Sequence, residues 1–334
     1  MQLEILLAAL YTIVFYFAAF GLAFLFSWLC YWIFRKLQAR LQARRGPPIY
    51  QPIADIIKLF GKERFIPTLA NKTLYVLAPF MALATILLLV YIVPPGYIGW
   101  PGSLSWDLIV VLYLSLMFTF AFVIAGWASA SPWGKIGASR EVSIMLSVEL
   151  PLAITLLLPA LALNRWGAPL SLSINTILVA QTGQYFFPLF PLLALPNWFI
   201  FYFPLAATAL FICLLTKAWM RPFGDIPEAE PEIFNGPLTE YGGPLLGVFE
   251  FARLFRFYVF AGLFVNLYLG GGDGLFFPLN ILVFLLKCLL IVILMTIIHT
   301  ASARYRIDHV FKWFLVVCLG LALFDLLRLI ILGG

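Results

Sequence analysis

Residues 6–34, LLAALYTIVFYFAAFGLAFLFSWLCYWIF, decide the fold class, because no charge interrupts them. In hydrocarbon every backbone N–H and C=O must find its partner within the protein, so a chain crosses a bilayer as a helix or inside a closed barrel. Barrel strands alternate over roughly ten residues. This run stays apolar well past the ~20 residues a helical span needs, and so predicts a transmembrane helix. A cleaved leader has a basic start and an apolar stretch of roughly 7–15 residues. Here Glu4 stands at the start and the run is too long, so the helix is expected to be retained. The pattern recurs. Of 334 residues, 63% are hydrophobic and 11% charged, against about 25% charged in a soluble domain. That excludes a soluble enzyme. Spans are predicted at 5–34, 73–93, 107–129, 142–163, 197–219, 246–269, 277–300 and 313–332. The expectation is an all-α integral membrane protein, a single polytopic domain over 1–334 with about eight transmembrane helices. Pro94-Pro95-Gly96, Asn164-Arg165-Trp166-Gly167 and Gly270-Gly271-Gly272 break the runs. The stretch 168–196, interrupted by Gln181, Gln184 and Pro188, reads as a surface or re-entrant segment in preference to a span.

Basic residues orient the spans. The loop after the first holds Arg35, Lys36, Arg40, Arg44, Arg45, Lys58, Lys62, Arg64 and Lys72. Lys135 and Arg140 follow the third, Lys217 and Arg221 the fifth, and Arg304, Arg306 and Lys312 the seventh. The opposite side has Arg165 alone. Loops 35–72, 130–141, 220–245 and 301–312 are therefore expected in the cytoplasm, with both termini outside a cell membrane. The four cysteines, Cys30, Cys213, Cys288 and Cys318, are scattered through apolar runs without a CxxC pair. An iron–sulfur or zinc site within the chain is not expected. His299 and His309 are the only histidines, and their spacing does not suit a haem. No metal site, bound cofactor, catalytic residue or nucleic-acid partner is expected of this chain; the lipid bilayer is.

Two of these loops are patterned. In the first, Ile53, Ile56, Ile57 and Phe60 recur at helical spacing opposite Asp55, Lys58 and Lys62, which predicts an amphipathic helix on the membrane face. It reads either as a surface anchor or as the wall of a cavity reached from the bilayer. The other loop, MRPFGDIPEAEPEIFNGPLTEYGGP over 220–244, carries Asp225, Glu228, Glu230, Glu232 and Glu240 on the basic side. A solvated acidic run is the usual reading, yet interleaved prolines and glycines favour a defined shape. Such carboxylates could bind a basic partner, exchange protons or hold a metal.

Ionisable residues also stand within the predicted spans: Glu149, then Glu250, Arg253 and Arg256, then Lys287, then Asp325 and Arg328. Each costs about 2.5–3.5 kcal/mol to insert at a helix centre, and such residues face other helices or internal water. Glu250 with Arg253, and Asp325 with Arg328, are three apart and can pair within a helix. Glu149 and Lys287 have no local partner and are the better candidates for an ion path. Glu141 is expected at its cytoplasmic mouth beside Arg140.

These loops resemble a known family. Arg44-Arg45-Gly46-Pro47, with Gln51-Pro52-Ile53-Ala54-Asp55-Ile56-Ile57-Lys58-Leu59-Phe60-Gly61-Lys62-Glu63, resembles the first cytoplasmic loop of the complex I membrane subunit that borders the quinone site. Gly137-Ala138-Ser139-Arg140 with Glu149, and Pro222-Phe223 with Asp225-Ile226-Pro227-Glu228-Ala229-Glu230, Glu232 and Thr239-Glu240-Tyr241, resemble its later motifs, in the same order. Three departures stand out: Ile144 and Val148 replace the usual Gln and Tyr, Gly224 interrupts the PFD triplet, and Glu250 lies about one turn early. The phrase Asn235-Gly236-Pro237-Leu238-Thr239-Glu240-Tyr241 is more similar to the homologous subunit of membrane-bound, energy-converting [NiFe] hydrogenases and related archaeal sulfur-reducing complexes. The resemblance implies a non-redox membrane subunit of a respiratory, ion-translocating oxidoreductase. It implies peripheral iron–sulfur and large catalytic subunits holding the iron–sulfur clusters and a [NiFe] centre, and antiporter-like membrane subunits moving H⁺ or Na⁺. The ion path would use Glu141, Glu149, Glu250, Asp225, Glu228, Glu230 and Glu232, with Arg140, Arg253 and Lys287 as counter-charges. The peripheral arm would dock on Arg44, Arg45, Gln51, Asp55, Lys58, Glu240 and Tyr241. A quinone-site subunit of an NADH or F420H2 oxidoreductase is the alternative, and a stand-alone secondary transporter the alternative of another class.

Overall fold

The computed structural model describes residues 2–165, 170–184 and 198–332. Fourteen α-helical segments follow in order among them: α1 Gln2–Leu41, α2 Gln51–Phe60, α3 Lys72–Ile92, α4 Asp107–Ala128, α5 Pro132–Arg165, α6 Ile174–Val179, α7 Phe199–Tyr202, α8 Pro204–Lys217, α9 Glu230–Ile233, α10 Gly243–Leu254, α11 Arg256–Tyr268, α12 Leu279–Ala301, α13 Ile307–Trp313 and α14 Leu319–Leu332. Two π-helical turns, Ala180–Gln184 and Phe314–Cys318, join α6 and link α13 to α14. The fold is all-α, and no strand occurs among the described residues.

Among the described residues, six helices are long and apolar enough to cross a membrane: Tyr16–Leu41, Lys72–Ile92, Asp107–Ala128, Pro132–Arg165, Leu279–Ala301 and Ile307–Ile331. The other two predicted spans are interrupted. Pro204 lacks the N–H that would continue a helix, so 197–219 divides at Phe203. The piece α8, 14 residues long, rises about 21 Å, short of the ~30 Å of hydrocarbon. The predicted span 246–269 divides at Phe255, where α10 gives way to α11. Two further spans begin earlier than expected. α5 starts at Pro132, ten residues before 142, and the last helical run starts at Ile307. Of the ambiguous 168–196, residues 170–184 hold α6 and its π turn, and 185–197 lie outside the described residues.

The connections gather at two faces. At one, Asn71 N–H donates to Ala128 O, Tyr305 N–H donates to Pro222 O, and Gly243 lies so close to Glu63 O that a Cβ would collide with it. This face carries the basic loops. At the other, Gly99 N–H donates to Asn175, Asn266 to Pro94 O, and Trp198 to Asp273. α7–α8 and α10–α11 run between these two faces. α3, α4 and α5 pack consecutively, α1 packs on α12, and α14 on α8 and α5. α11 is the hub: every residue from Arg256 to Tyr268 is buried, as a helix apolar nearly all round must be.

Candidate functional site: a charged chamber behind the acidic loop

The acidic loop is folded inward and is no solvated run. Phe223, Ile226, Ala229, Ile233 and Leu238 are buried beneath it. Gly137 explains its own motif. A Cβ there would meet Pro237 Cδ at 2.6 Å and Gly236 Cα at 2.8 Å, so only glycine lets the loop lie on α5. Tyr75 and Tyr241 clamp the far end. Their rings stack at 4.0 Å, Tyr75 Oη donates to Glu240 O (2.8 Å), and Tyr241 Oη donates to Tyr75 O (3.0 Å). Burial pushes the Tyr241 phenol well above its ordinary pKa, so it stays a donor.

Folding the loop inward sets its acids against bases from α5, α10 and the 301–312 loop, and against its own Arg221. Glu232 accepts from Arg140 at 2.5 Å. Asp225 accepts from Arg221 (2.9 Å) and Arg304 (2.5 Å). Glu228 pairs with Arg253, which also donates to Glu250 at 3.1 Å. Arg253 lies over Phe122 (4.9 Å) and Trp219 (5.4 Å), aromatic faces that replace its water. Asp225, Glu228, Glu250, Arg221, Arg253, Arg304 and Trp219 line a chamber of ≈ 360 Å³ with Arg256, His299 and Tyr31. His299 Nδ1 accepts the Arg221 backbone N–H at 2.9 Å.

A second cavity, ≈ 430 Å³, adjoins the chamber. Ile56, Leu59 and Asp55 of α2 face Arg35, Leu246 and Leu254 across it, and Tyr31, Phe34, Gln38 and Glu250 line both spaces. Three bonds hold α2 against α1. Trp28 and Trp32 donate to Ile49 O and Pro47 O, and Arg35 donates to Asp55 at 2.8 Å, with Gln51 on the other Asp55 oxygen. Of the apolar stripe expected on this helix, Ile56 lines the slot while Ile57 and Phe60 stay exposed.

Deeper along α5, Glu141 is buried, with Lys217, Arg253 and Trp219 as the groups facing its carboxyl. Two turns on, Glu149 pairs with Lys217 of α8, and its second oxygen is buried without a partner. Lys287 is remote from this cluster. It donates to Asp273 (2.6 Å) and Leu269 O (2.7 Å) and lies 4.3 Å over the Trp198 ring.

The structure thus brings Arg140, Glu141, Glu149, Asp225, Glu228, Glu232, Glu250 and Arg253 together and leaves Lys287 at the opposite face. Arg44, Arg45 and Lys58 are exposed, and the Glu230 side chain lies outside the described residues. Glu149 and Lys287 lack partners in sequence but find them through space. The expected Asp325–Arg328 pair does not form: Arg328 lies over Phe203 (5.5 Å) and Asp325 turns to α8. Sequence reasoning missed the roles of Arg221, Arg256, His299 and Arg304. It read two of them only as orienting charge. It also missed Asp107, fully buried, which accepts from Leu104 N (2.6 Å), Ile174 N (3.0 Å) and Ser173 Oγ (3.0 Å).

A family model described as NADH dehydrogenase matches residues 12–330. The H-type membrane component of the NADH-quinone oxidoreductase of Carboxydothermus hydrogenoformans is 31% identical over 90% of this chain and 84% of its own. The chain belongs to the NADH dehydrogenase family of H-type membrane components. Hydrogenase-4 component C of Escherichia coli K12 is 34% identical over 83% of the chain and 84% of its own. A solved archaeal respiratory membrane complex, the membrane-bound sulfane sulfur reductase, contains a chain that superposes with a TM-score of 0.77. It is 26% identical and covers 95% of this chain and 98% of its own. This NADH dehydrogenase family member is therefore a multi-pass membrane subunit of complex I-like or membrane-bound hydrogenase-type complexes. Its relatives are parts of multi-subunit assemblies, which counts against the stand-alone transporter.

Proposed function

We propose that this chain couples redox chemistry in peripheral iron–sulfur and large catalytic subunits to H⁺ or Na⁺ movement by antiporter-like membrane subunits, and binds no redox cofactor itself. One observation carries the reading: a single guanidinium, Arg253, divides itself between Glu228 of the acidic loop and Glu250 of α10. Two carboxylates competing for one buried cation give two arrangements of similar energy, which is what a coupling element needs. In a poorly screened chamber, one negative charge arriving at the basic face acts strongly on groups a few ångströms apart. It draws Arg221, Arg253 and Arg304 toward itself and leaves Glu228, Glu250 and Glu141 to take up protons. The Glu149–Lys217 pair then relays the change along α5 and α8. In this reading Arg140, Asp225 and Glu232 tie the loop to the bundle, and Arg44, Arg45, Gln51, Asp55, Lys58, Glu240 and Tyr241 lie where the peripheral arm docks. Glu230 belongs with the loop acids by position. Lys287, paired at the opposite face, is a latch there and no counter-charge of the chamber. The basic face is cytoplasmic, the membrane is the cell membrane, and α7–α8 and α10–α11 complete eight crossings with both termini outside.

The hydrogenase or sulfur-reducing branch is favoured by the 235–241 phrase. A quinone-reducing complex is the second reading, supported by the slot between α1 and α2. Turnover of the purified complex with hydrogen, sulfur species and quinone separates these. For coupling itself, Glu149→Gln complexes are reconstituted in vesicles, and ion uptake is measured beside electron transfer. Loss of uptake with electron transfer retained is expected; undiminished uptake by an intact complex refutes the route.

A further inference from the structure

Two buried acids among the described residues lie outside the chamber and the route along α5: Asp107, whose two oxygens accept from Leu104, Ile174 and Ser173, and Asp325. Asp325 of α14 is 0% exposed. Its Oδ2 accepts the Ala206 backbone N–H at 2.8 Å, on the first turn of α8, and its Oδ1 is buried without a partner. Capping a helix start requires one acceptor and no charge, which Asn or Ser supplies, and an ionisable side chain is costly to place at membrane depth. Arg328, one turn on, is the charged group that faces it, but lies over the Phe203 ring and does not take up Oδ1. A cap alone therefore leaves that spare oxygen unexplained.

Its surroundings supply a use. Ala206 and Lys217 are the near and far ends of one helix, about 16 Å apart along α8. Asp325 thus lies beyond the Glu149–Lys217 pair, on the side away from the chamber. Polar groups occupy the interval. Pro159 has no N–H for Thr155 O, and Tyr268 of α11 donates to that carbonyl at 2.8 Å. Tyr268 is also within electrostatic reach of Asp325. Between α8 and α14 the Cys213 and Cys318 thiols adjoin. The π turn Phe314–Cys318 ends seven residues before Asp325, and such bulges re-aim the helix that follows, often at functional sites.

We infer that Asp325 is a proton-binding residue of the translocation route, receiving at Oδ1 the proton released from the Glu149–Lys217 pair. The inference rests on the coupling reading above. The Lys217 N–H or Glu149 O–H bond that held the proton breaks as an O–H bond forms at Asp325 Oδ1. That bond breaks in turn when the proton passes on, and Oδ2 keeps the α8 cap throughout.

The test uses the whole complex in vesicles, with proton and Na⁺ uptake and electron transfer measured together. Asp325→Asn retains an acceptor for Ala206 and cannot titrate. Asp325→Glu keeps a titratable carboxyl. The expected result is loss of proton uptake in D325N with electron transfer unchanged, substantial uptake in D325E, and an infrared carboxyl difference band in the wild type that D325N removes. Full uptake by D325N overturns the inference and leaves the coupling reading standing. So does equal impairment of both variants in uptake or assembly, which marks a cap and nothing more. So does a wild type that moves Na⁺ alone. A wild type that moves no ions overturns both.

Discussion

Arg253 carries the chamber at the scale of single residues. It is buried between two carboxylates and two aromatic faces, with its Nε unpartnered. Removing one member of a buried ion pair costs roughly 3–5 kcal/mol, because the partner is left as an uncompensated charge, whereas removing all members is far milder. Arg253→Met is therefore expected to destabilise the subunit by about that amount, read as a lowered Tm in detergent. Combining it with Glu228→Gln and Glu250→Gln is expected to restore most of the loss. The acids themselves were legible, since a chain so sparing of charge places each one at a cost. Their partners were not. Glu149 and Lys217 are 68 residues apart, and Glu228 and Arg253 are 25 apart. The pair read from i,i+3 spacing held for Glu250–Arg253 and failed for Asp325–Arg328, because an open helix start drew Asp325 away.

At the scale of elements, the interruptions matter more than the helices. α6 is too short to be stable alone. It is held by Asp107, which satisfies the backbone N–H groups of Leu104 and Ile174 together. Asp107→Ala leaves these donors orphaned at a cost of about 1–3 kcal/mol each. It is expected to lower the Tm and to open residues 170–184 to protease while spectroscopic helix content stays nearly constant. No sequence signal marked this residue, since an aspartate at the start of a helix is ordinary. The breaks at Phe203 and Phe255 were hidden in the same way. Apolar runs register hydrocarbon and not continuity, so 197–219 and 246–269 read as whole spans. By contrast a helix was expected in the 35–72 loop, and α2 occurs there. What it faces was not, because a stripe of isoleucines fits a lipid surface and a cavity wall equally.

At the scale of the whole molecule, the distribution of Lys and Arg predicts one face for all four basic loops, and the structure gathers those loops together. Single cysteines placed at the exposed Leu69 and Phe276 are expected to react with a membrane-impermeant thiol reagent from opposite sides of oriented membranes. The Leu69 position should be reached from the cytoplasmic side; labelling of both from one side would refute the arrangement. α11 at the hub explains why chamber and slot meet. The joint between α10 and α11 brings Glu250, Arg253 and Arg256 to the point where α1, the acidic loop and α12 converge.

The sequence by itself determined the solvent, the helical class and the family. Those follow from composition, run length and local motifs, quantities that add up along the chain. Only the tertiary structure decided that two spans are interrupted, that the acidic loop turns inward, and which base each acid meets. These depend on contacts between residues far apart in the chain, and backbone groups freed at breaks choose their partners only once the helices have packed.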